Sequence, residues 1–347
     1  MIYKRQDFFE FPTDSQQIAA NLESAYFTQV SILKDLAAIP SSMFWSTRGD
    51  REYLLVKESP KQDGVSQGAR SPQTEKKYND YISSRTALQD RLAAIESVLK
   101  DRASLYRRMR LPTMLDRQAE ILRKLDVESM LGTDLMVVGT NAFAAYELYC
   151  GARFPVGNEA TEDFDMAWCR GTKVSMLGMG QRASSKTFFE VLKSIDPSYK
   201  INPQKLDQAV AADGYEVELL ASPSVHPLPK AESFEPMYTL QEQDWLLEGT
   251  PIASVVATVR GRVCPLYVPD PRWMALHKTW LSYKPKRKES KRQKDRRQGD
   301  VLLDAASLFL QDSHPLNVSF AMDLPEELRT HFDEWCKTRE YTPANDL

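Results

Sequence analysis

Apolar residues recur along this chain with two periods, one helical and one extended, and the changes between them mark out its elements. Between Phe8 and Pro40 the spacing is helical, with Ile18, Leu22, Ala25 and Tyr26 followed by Val30, Leu33 and Leu36. Residues 43–46 and 52–56 are richer in β-formers and flank Arg48-Gly49-Asp50, which predicts a short hairpin. Residues 58–68 are polar, with Ser, Gly and Gln, and read as a linker. A long helix begins near Thr74, and its stripe of Leu88, Leu92, Ile95 and Leu99 keeps one apolar face. Pro112 is placed to open a second helix with Leu115, Ala119, Leu122 and Leu125 on one side. The short connection predicts an antiparallel helical hairpin, with Arg107, Arg108 and Arg110 at its tip. Those arginines read as a solvated helix end or as a contact for a nucleic-acid backbone.

Further on, Leu135, Met136, Val137 and Val138 make a short buried strand that breaks at Gly139 and passes into helix formers ending at Gly151. Residues 162–168 alternate carboxylates with apolar side chains, so Asp163 and Asp165 share one face of a strand, about 7 Å apart along the chain. An extra loop is expected over residues 153–161, leading into that strand. A loop is expected over 171–180, an amphipathic helix over 186–195 and an alternating strand over 214–220. Two β-rich runs, 255–259 and 263–268, flank Arg260-Gly261-Arg262 as a hairpin. Pro269-Asp270-Pro271 ends the sheet and opens a helix over 272–282; a later apolar helix carries Val301, Leu302, Leu303 and Phe309, and a last short one follows Pro325. The pattern predicts an α+β fold, a small mixed sheet between helical regions. Its divisions are a mainly helical N-terminal region (1–130) with the hairpin, a core (131–270) and a C-terminal helical region (271–347) with a basic segment.

Composition narrows the class. The 347 residues carry a net charge of −3 and can bury a sizeable core. Four cysteines lie far apart with no C-x-x-C pair, which argues against structural zinc and disulfides and for a reducing compartment. No apolar run approaches the roughly 18 residues of a membrane span, and the N-terminus lacks a signal-peptide core. A cytoplasmic protein with no membrane contact is expected. The charge is uneven, however: residues 284–297 hold nine lysines and arginines against Glu289 and Asp295, a local charge of +7. That run reads as a loop, a phosphate-tracking surface or both.

The chemistry centres on the strand–Gly139-Thr140–helix turn and the two aspartates after it. Backbone N–H groups and a hydroxyl at a helix N-terminus suit an anion such as phosphate. Paired carboxylates repel unless a cation neutralises them, and hard oxygen ligands suit magnesium. Gly139-Thr140, the following helix and Asp163-x-Asp165 resemble the signature of the polymerase-beta-like nucleotidyltransferase superfamily. The stretches VVGTNAFAAYELYCGARFP, ATEDFDMAW, GARSPQTEKKY, VPDPRWMALHKTW and KRQKDRRQ are similar to one bacterial group of nucleotidyltransferase-like proteins, related to abortive-infection (type IV toxin) nucleotidyltransferases. Two departures stand out. Thr140 occupies a position where Ser is usual, and the gap from Thr140 to Asp163 is wider than in the superfamily.

The resemblance implies a catalytic core over 131–270, two Mg2+ ions and an NTP as substrate. Asp163 and Asp165 would be catalytic metal ligands, and Gly139, Thr140 and Asn141 would bind the nucleotide. A third carboxylate is needed on a neighbouring strand. Glu216 and Glu218 share a face there, so spacing leaves both open, and the resemblance selects Glu218. It also implies that Lys278 contacts nucleotide phosphates, with a stem packed on tryptophan as the alternative. Lys294-Asp295 resembles a basic–acidic pair near the active site, and Lys291 is a further acceptor or phosphate contact. Arg70 reads as a surface arginine beside a turn, with substrate phosphate as the alternative, and His277 as a packed helix residue. The expected function is transfer of an NMP to an acceptor hydroxyl on RNA, tRNA among the choices, with the basic run along its backbone and a cognate antitoxin as a partner. The competing readings are a protein or small-molecule acceptor, or a non-catalytic nucleotide or RNA binder.

Overall fold

The computed structural model describes residues 1–60, 62–155, 164–170, 186–222, 230–235 and 241–345. The chain divides into two compact units, Ser24–Arg102 and the remainder, Met1–Glu23 with Ala103–Leu347. A two-residue strand, β1 (Phe9–Glu10), precedes the helical stretch after Phe8, which forms α1 (Thr13–Ala38). In the smaller unit the hairpin forms as expected, β2 (Ser42–Arg48) against β3 (Arg51–Lys57), with Gly49 at φ 61° in the turn. Part of the stretch read as a linker becomes a third strand, β4 (Val65–Ala69), because its backbone groups pair along β3. Met43, Leu54, Val56 and Tyr81 make the small core between this sheet and α2 (Pro72–Arg108). Arg70 lies over Trp45 and bonds Glu52 at 2.6 Å and Glu75 at 2.8 Å, a local ion-pair cluster.

The larger unit departs from expectation at Pro112. Helix α3 (Asp116–Val127) starts after Leu115, and Thr113–Met114 instead forms β5. The expected second helix thus starts later than Pro112, because Thr113 and Met114 find backbone partners in β12 (Ile252–Thr258). Next come β6 (Leu135–Val137), a 3-10 turn over Gly139–Ala142, α4 (Phe143–Cys150) and β7 (Ala152–Arg153), which pairs with β1. Then follow β8 (Phe164–Trp168), α5 (Phe188–Ile195), β9 (Lys200–Asn202), β10 (Lys205–Val210) and β11 (Glu216–Leu220). The chain closes with β12 (Ile252–Thr258), β13 (Val263–Val268), α6 (Pro271–Ser282), α7 (Glu289–Phe309), α8 (Val318–Asp323) and α9 (Glu326–Arg339).

The fold is α+β. The principal sheet runs β6-β8-β11-β10-β9 and is mixed, since β8 and β11 are parallel and the other neighbours antiparallel. A second sheet, β13-β12-β5, holds the 252–268 hairpin, where β5 runs parallel to β12. Alternate side chains of a strand face opposite sides. Phe164, Met166 and Trp168 of β8 and Val217 and Leu219 of β11 therefore enter the core, each 0% exposed. The residues between them, Asp165, Glu216 and Glu218, emerge on the other face.

The expected loop at the basic run is a further correction: from Glu289 onward it is the first turns of α7. Acids and rings within about a dozen residues stabilise this segment. Arg287 pairs with Asp295, Arg296 with Asp300 and the Tyr283 hydroxyl, and Lys284 lies 3.5 Å over the Trp280 ring. Helices α6 and α7 meet at Gly299, where any Cβ would collide with Thr279 Oγ1. Among the described residues no helix is long and apolar enough to cross a membrane.

Candidate active site

Asp165 and Glu218 stand side by side. The parallel register of β8 and β11 matches Glu218 to Asp165, so the two carboxylates leave neighbouring strands from the same face. That register distinguishes the two glutamates left open by spacing, because it sets Glu218, and not Glu216, next to Asp165. Asp163 lies outside the described residues, as does most of the loop expected before it and the loop expected at 171–180. On the other side of β8, the turn after β6 closes over Asp165. Val138 N–H donates to the Asp165 carbonyl at 3.1 Å, and Gly139 takes φ 71°, a conformation open mainly to glycine. A Cβ on Gly139 would sit 2.5 Å from Asp165 Oδ2. The glycine thus makes room for the carboxylate as well as for the turn.

The Glu218 carboxylate is oriented by a buried amide. Gln208 of β10, 1% exposed, donates to Glu216 at 2.6 Å and Glu218 at 3.1 Å, and its own carbonyl oxygen accepts from Asn202 at 2.6 Å. Lys205 lies 3.8 Å from Glu218. Among the described residues no group of three or more His, Cys, Asp or Glu is placed to hold a metal ion. The donor set does fit a hard divalent cation: two in-register carboxylates, half-buried on neighbouring strands, both offering oxygen ligands.

Thr140 and Asn141 are each tied to a buried glutamine. Gln298 of α7 donates to Thr140 Oγ1 at 3.2 Å, and Gln118 of α3 donates to Asn141 Oδ1 at 3.1 Å. These glutamines escaped the sequence reading. Their only signal was an amide at an otherwise buried helix position, and both are 1% exposed. One turn of α7 before Gln298, Asp295 accepts from Lys278 Nζ at 3.0 Å and from Arg287. Lys278 and Asp295 are almost wholly buried, with side chains 8% and 3% exposed. Lys278 is therefore anchored close to the Thr140 turn through a single helix. Asp295 pairs with Lys278 rather than acting only with its neighbour Lys294, which is half-buried on α7; Lys291 is exposed.

His277 is a packed residue, as expected. It stacks on Trp280 at 6.0 Å and meets Trp245 edge-on at 6.4 Å. Burial, helped by the charge of Lys278, holds its imidazole down from 6.5 to about 3. The unfolded imidazole gains a proton below about pH 6.5 and the folded one does not, so the unfolded state binds more protons there. Stability from this group is complete above pH 6.5 and is lost as pH falls toward 3, by up to about 1.4 kcal/mol per unit. His277→Gln is expected to flatten that acid slope, as read from urea midpoints between neutral and mildly acidic pH. An unchanged slope would mean that other groups control acid stability.

A family model described as nucleotidyltransferase matches residues 116–321, more than half of the chain and all of the sheet face just described. The chain belongs to this nucleotidyltransferase family. No curated protein and no solved structure matches it significantly.

Proposed function

We propose that the protein moves a nucleoside monophosphate from an NTP to an acceptor hydroxyl in a magnesium-dependent reaction, with RNA as the acceptor. The observation that carries this reading is the in-register pair Asp165 and Glu218 beneath the Gly139 turn. Asp165 and Glu218, joined by Asp163, would hold the divalent ions. When bound, such ions neutralise phosphate charge and lower the pKa of an attacking hydroxyl. The N–H groups of the Gly139–Asn141 turn and the Thr140 hydroxyl donate to phosphate oxygens. The acceptor oxygen bonds the α-phosphorus, the bond to the bridging oxygen breaks, pyrophosphate leaves, and the hydroxyl proton passes to water. These residues mainly position groups and balance charge, which is what phosphoryl-type transfer requires of a protein.

Lys278 adds a positive charge beside the turn, and Asp295 fixes its direction. Lys278→Met keeps most of the stem while removing the ammonium, and Asp295 retains Arg287. The expected result is a rise of about tenfold in KM for NTP, about 1.4 kcal/mol, with the melting temperature little changed. A lowered melting temperature with unchanged KM would make Lys278 a packing residue. The function itself is tested by incubating the protein with each labelled NTP, magnesium and total cell extract. Label entering RNA supports the reading, label in protein or in small molecules changes the acceptor, and no label from any NTP overturns it.

A further inference from the structure

Beside Thr140 and Asn141 the larger unit carries a groove with two ends. The inner end, about 310 Å3, is bounded by Gln118, Thr140 and Asn141, by apolar Met114 and Leu115, and by Glu147, a buried carboxylate that accepts from Phe154 N–H at 2.7 Å. The outer end, about 640 Å3, is bounded by Arg107, Arg108, Arg110 and Arg153. Leu111, Thr113, Arg153 and Val259 belong to both walls, so the two ends are continuous.

Every charged residue in the wall of the outer end is an arginine. Among the described residues none of these four forms an ion pair, and the Arg153 Nε is buried without an acceptor. Other arginines of the larger unit differ. Arg262 bonds Glu120 at 3.1 Å, Arg260 lies 3.4 Å from Asp116, and the arginines at 287, 292 and 296 all have carboxylate partners. The local backbone fits the cluster as well. Arg110 adopts φ 53° just beyond α2, and Gly261 leaves room for the Arg107 guanidinium, which a Cβ there would meet at 3.3 Å. Val259, shared by both ends, and Leu115 of the inner end expose apolar surface, 64% and 39%.

We infer that this groove seats the acceptor as a single-stranded nucleic acid, its phosphates on the four arginines and its terminal base in the inner end beside Thr140 and Asn141. The inference rests on the nucleotidyl-transfer reading for the direction of the strand, and on the groove itself for the binding. Guanidinium forks grip phosphate oxygens two at a time, and their planes also stack on bases. Apolar walls accept a base face while the amides of Gln118 and Asn141 can bond its edge. The basic run over residues 284–297 is a poorer backbone track, because Arg287, Arg292 and Arg296 in it are already occupied by Asp295, Glu289 and Asp300.

The test is fluorescence anisotropy with a short labelled oligouridylate, without NTP, at low and moderate salt. Arg107→Gln/Arg108→Gln is expected to weaken binding roughly tenfold or more and to lower the salt slope by one to two units, about 0.7 for each phosphate that is no longer neutralised. Arg107→Lys/Arg108→Lys should keep most of the slope. Lys286→Gln/Lys288→Gln, which removes the same charge from the other basic surface, should change binding by less than about twofold. The inference is overturned if wild type does not bind the RNA, if the groove variant binds within twofold of it, or if the lysine variant shows the larger loss. Displacement of the RNA by polyglutamate at equal charge concentration would also overturn it, since the groove would then take any polyanion. Because no NTP is present, a failed transfer assay with this binding pattern intact would overturn the catalytic reading alone. Label transfer to RNA that the groove substitutions leave unaltered would overturn the groove alone.

Discussion

Asp165→Asn is expected to abolish nucleotidyl transfer, by roughly a thousandfold or more, while circular dichroism and the unfolding midpoint stay close to wild type. The substitution keeps side-chain volume and removes one negative charge from the face of β8 opposite Phe164, Met166 and Trp168, so the core on that other side is untouched. Glu218→Gln should follow with a loss of at least about tenfold, or about 1.4 kcal/mol. Glu216→Gln should lose less than Glu218→Gln. Both glutamates bond Gln208, but the register of β11 on β8 places Glu218 alongside Asp165. Near-normal turnover in Asp165→Asn would remove the sheet face from the chemistry. A larger loss in Glu216→Gln than in Glu218→Gln would reverse the assignment of the second carboxylate.

Gly139→Ala should be nearly as damaging, for a different reason. Its φ of 71° is strained for any residue with a Cβ, which costs about 1 kcal/mol. The new methyl would also lie 2.5 Å from Asp165 Oδ2, so either the turn or the carboxylate must shift. Catalytic groups tolerate little displacement, and a shift of about 1 Å can cost about a hundredfold. The expected outcome is a fall of that size in kcat/KM together with a stability loss of about 1–2 kcal/mol in urea unfolding. Reduced stability with normal turnover would show that the turn does not set the position of Asp165.

Some elements were missed because the signals in the chain were weak or distributed. Strands β9 and β10 carry Lys, Gln, Asn and Asp among few apolar residues, so the period of two hardly shows; each is defined by its neighbour in the sheet. Strand β5 is two residues long and exists only through its bonds to β12. The helical start of α7 has a dense positive charge that disfavours an isolated helix. Asp295, Asp300 and Glu334 offset it, and the last of these comes from another helix.

The sequence by itself determined the elements whose cause is local. Helical spacing marked α1 and α2, the Pro269-Asp270-Pro271 break marked α6, glycine turns marked the hairpins at Gly49 and Gly261, and alternation placed Asp165 opposite the apolar side chains of its strand and the glutamates of β11 on one face. It also placed Gly139 and Thr140 between a strand and a helix. Only the tertiary structure decided which of these positions meet. Strand register set Glu218 next to Asp165, helix packing carried Lys278 to Asp295 and Gln298 to Thr140, and the path of β7 brought Arg153 to the arginines that end α2. Local periods act over a few residues and leave a record in the spacing. Register and packing depend on groups 17 to 158 residues apart, and no spacing along the chain records such encounters.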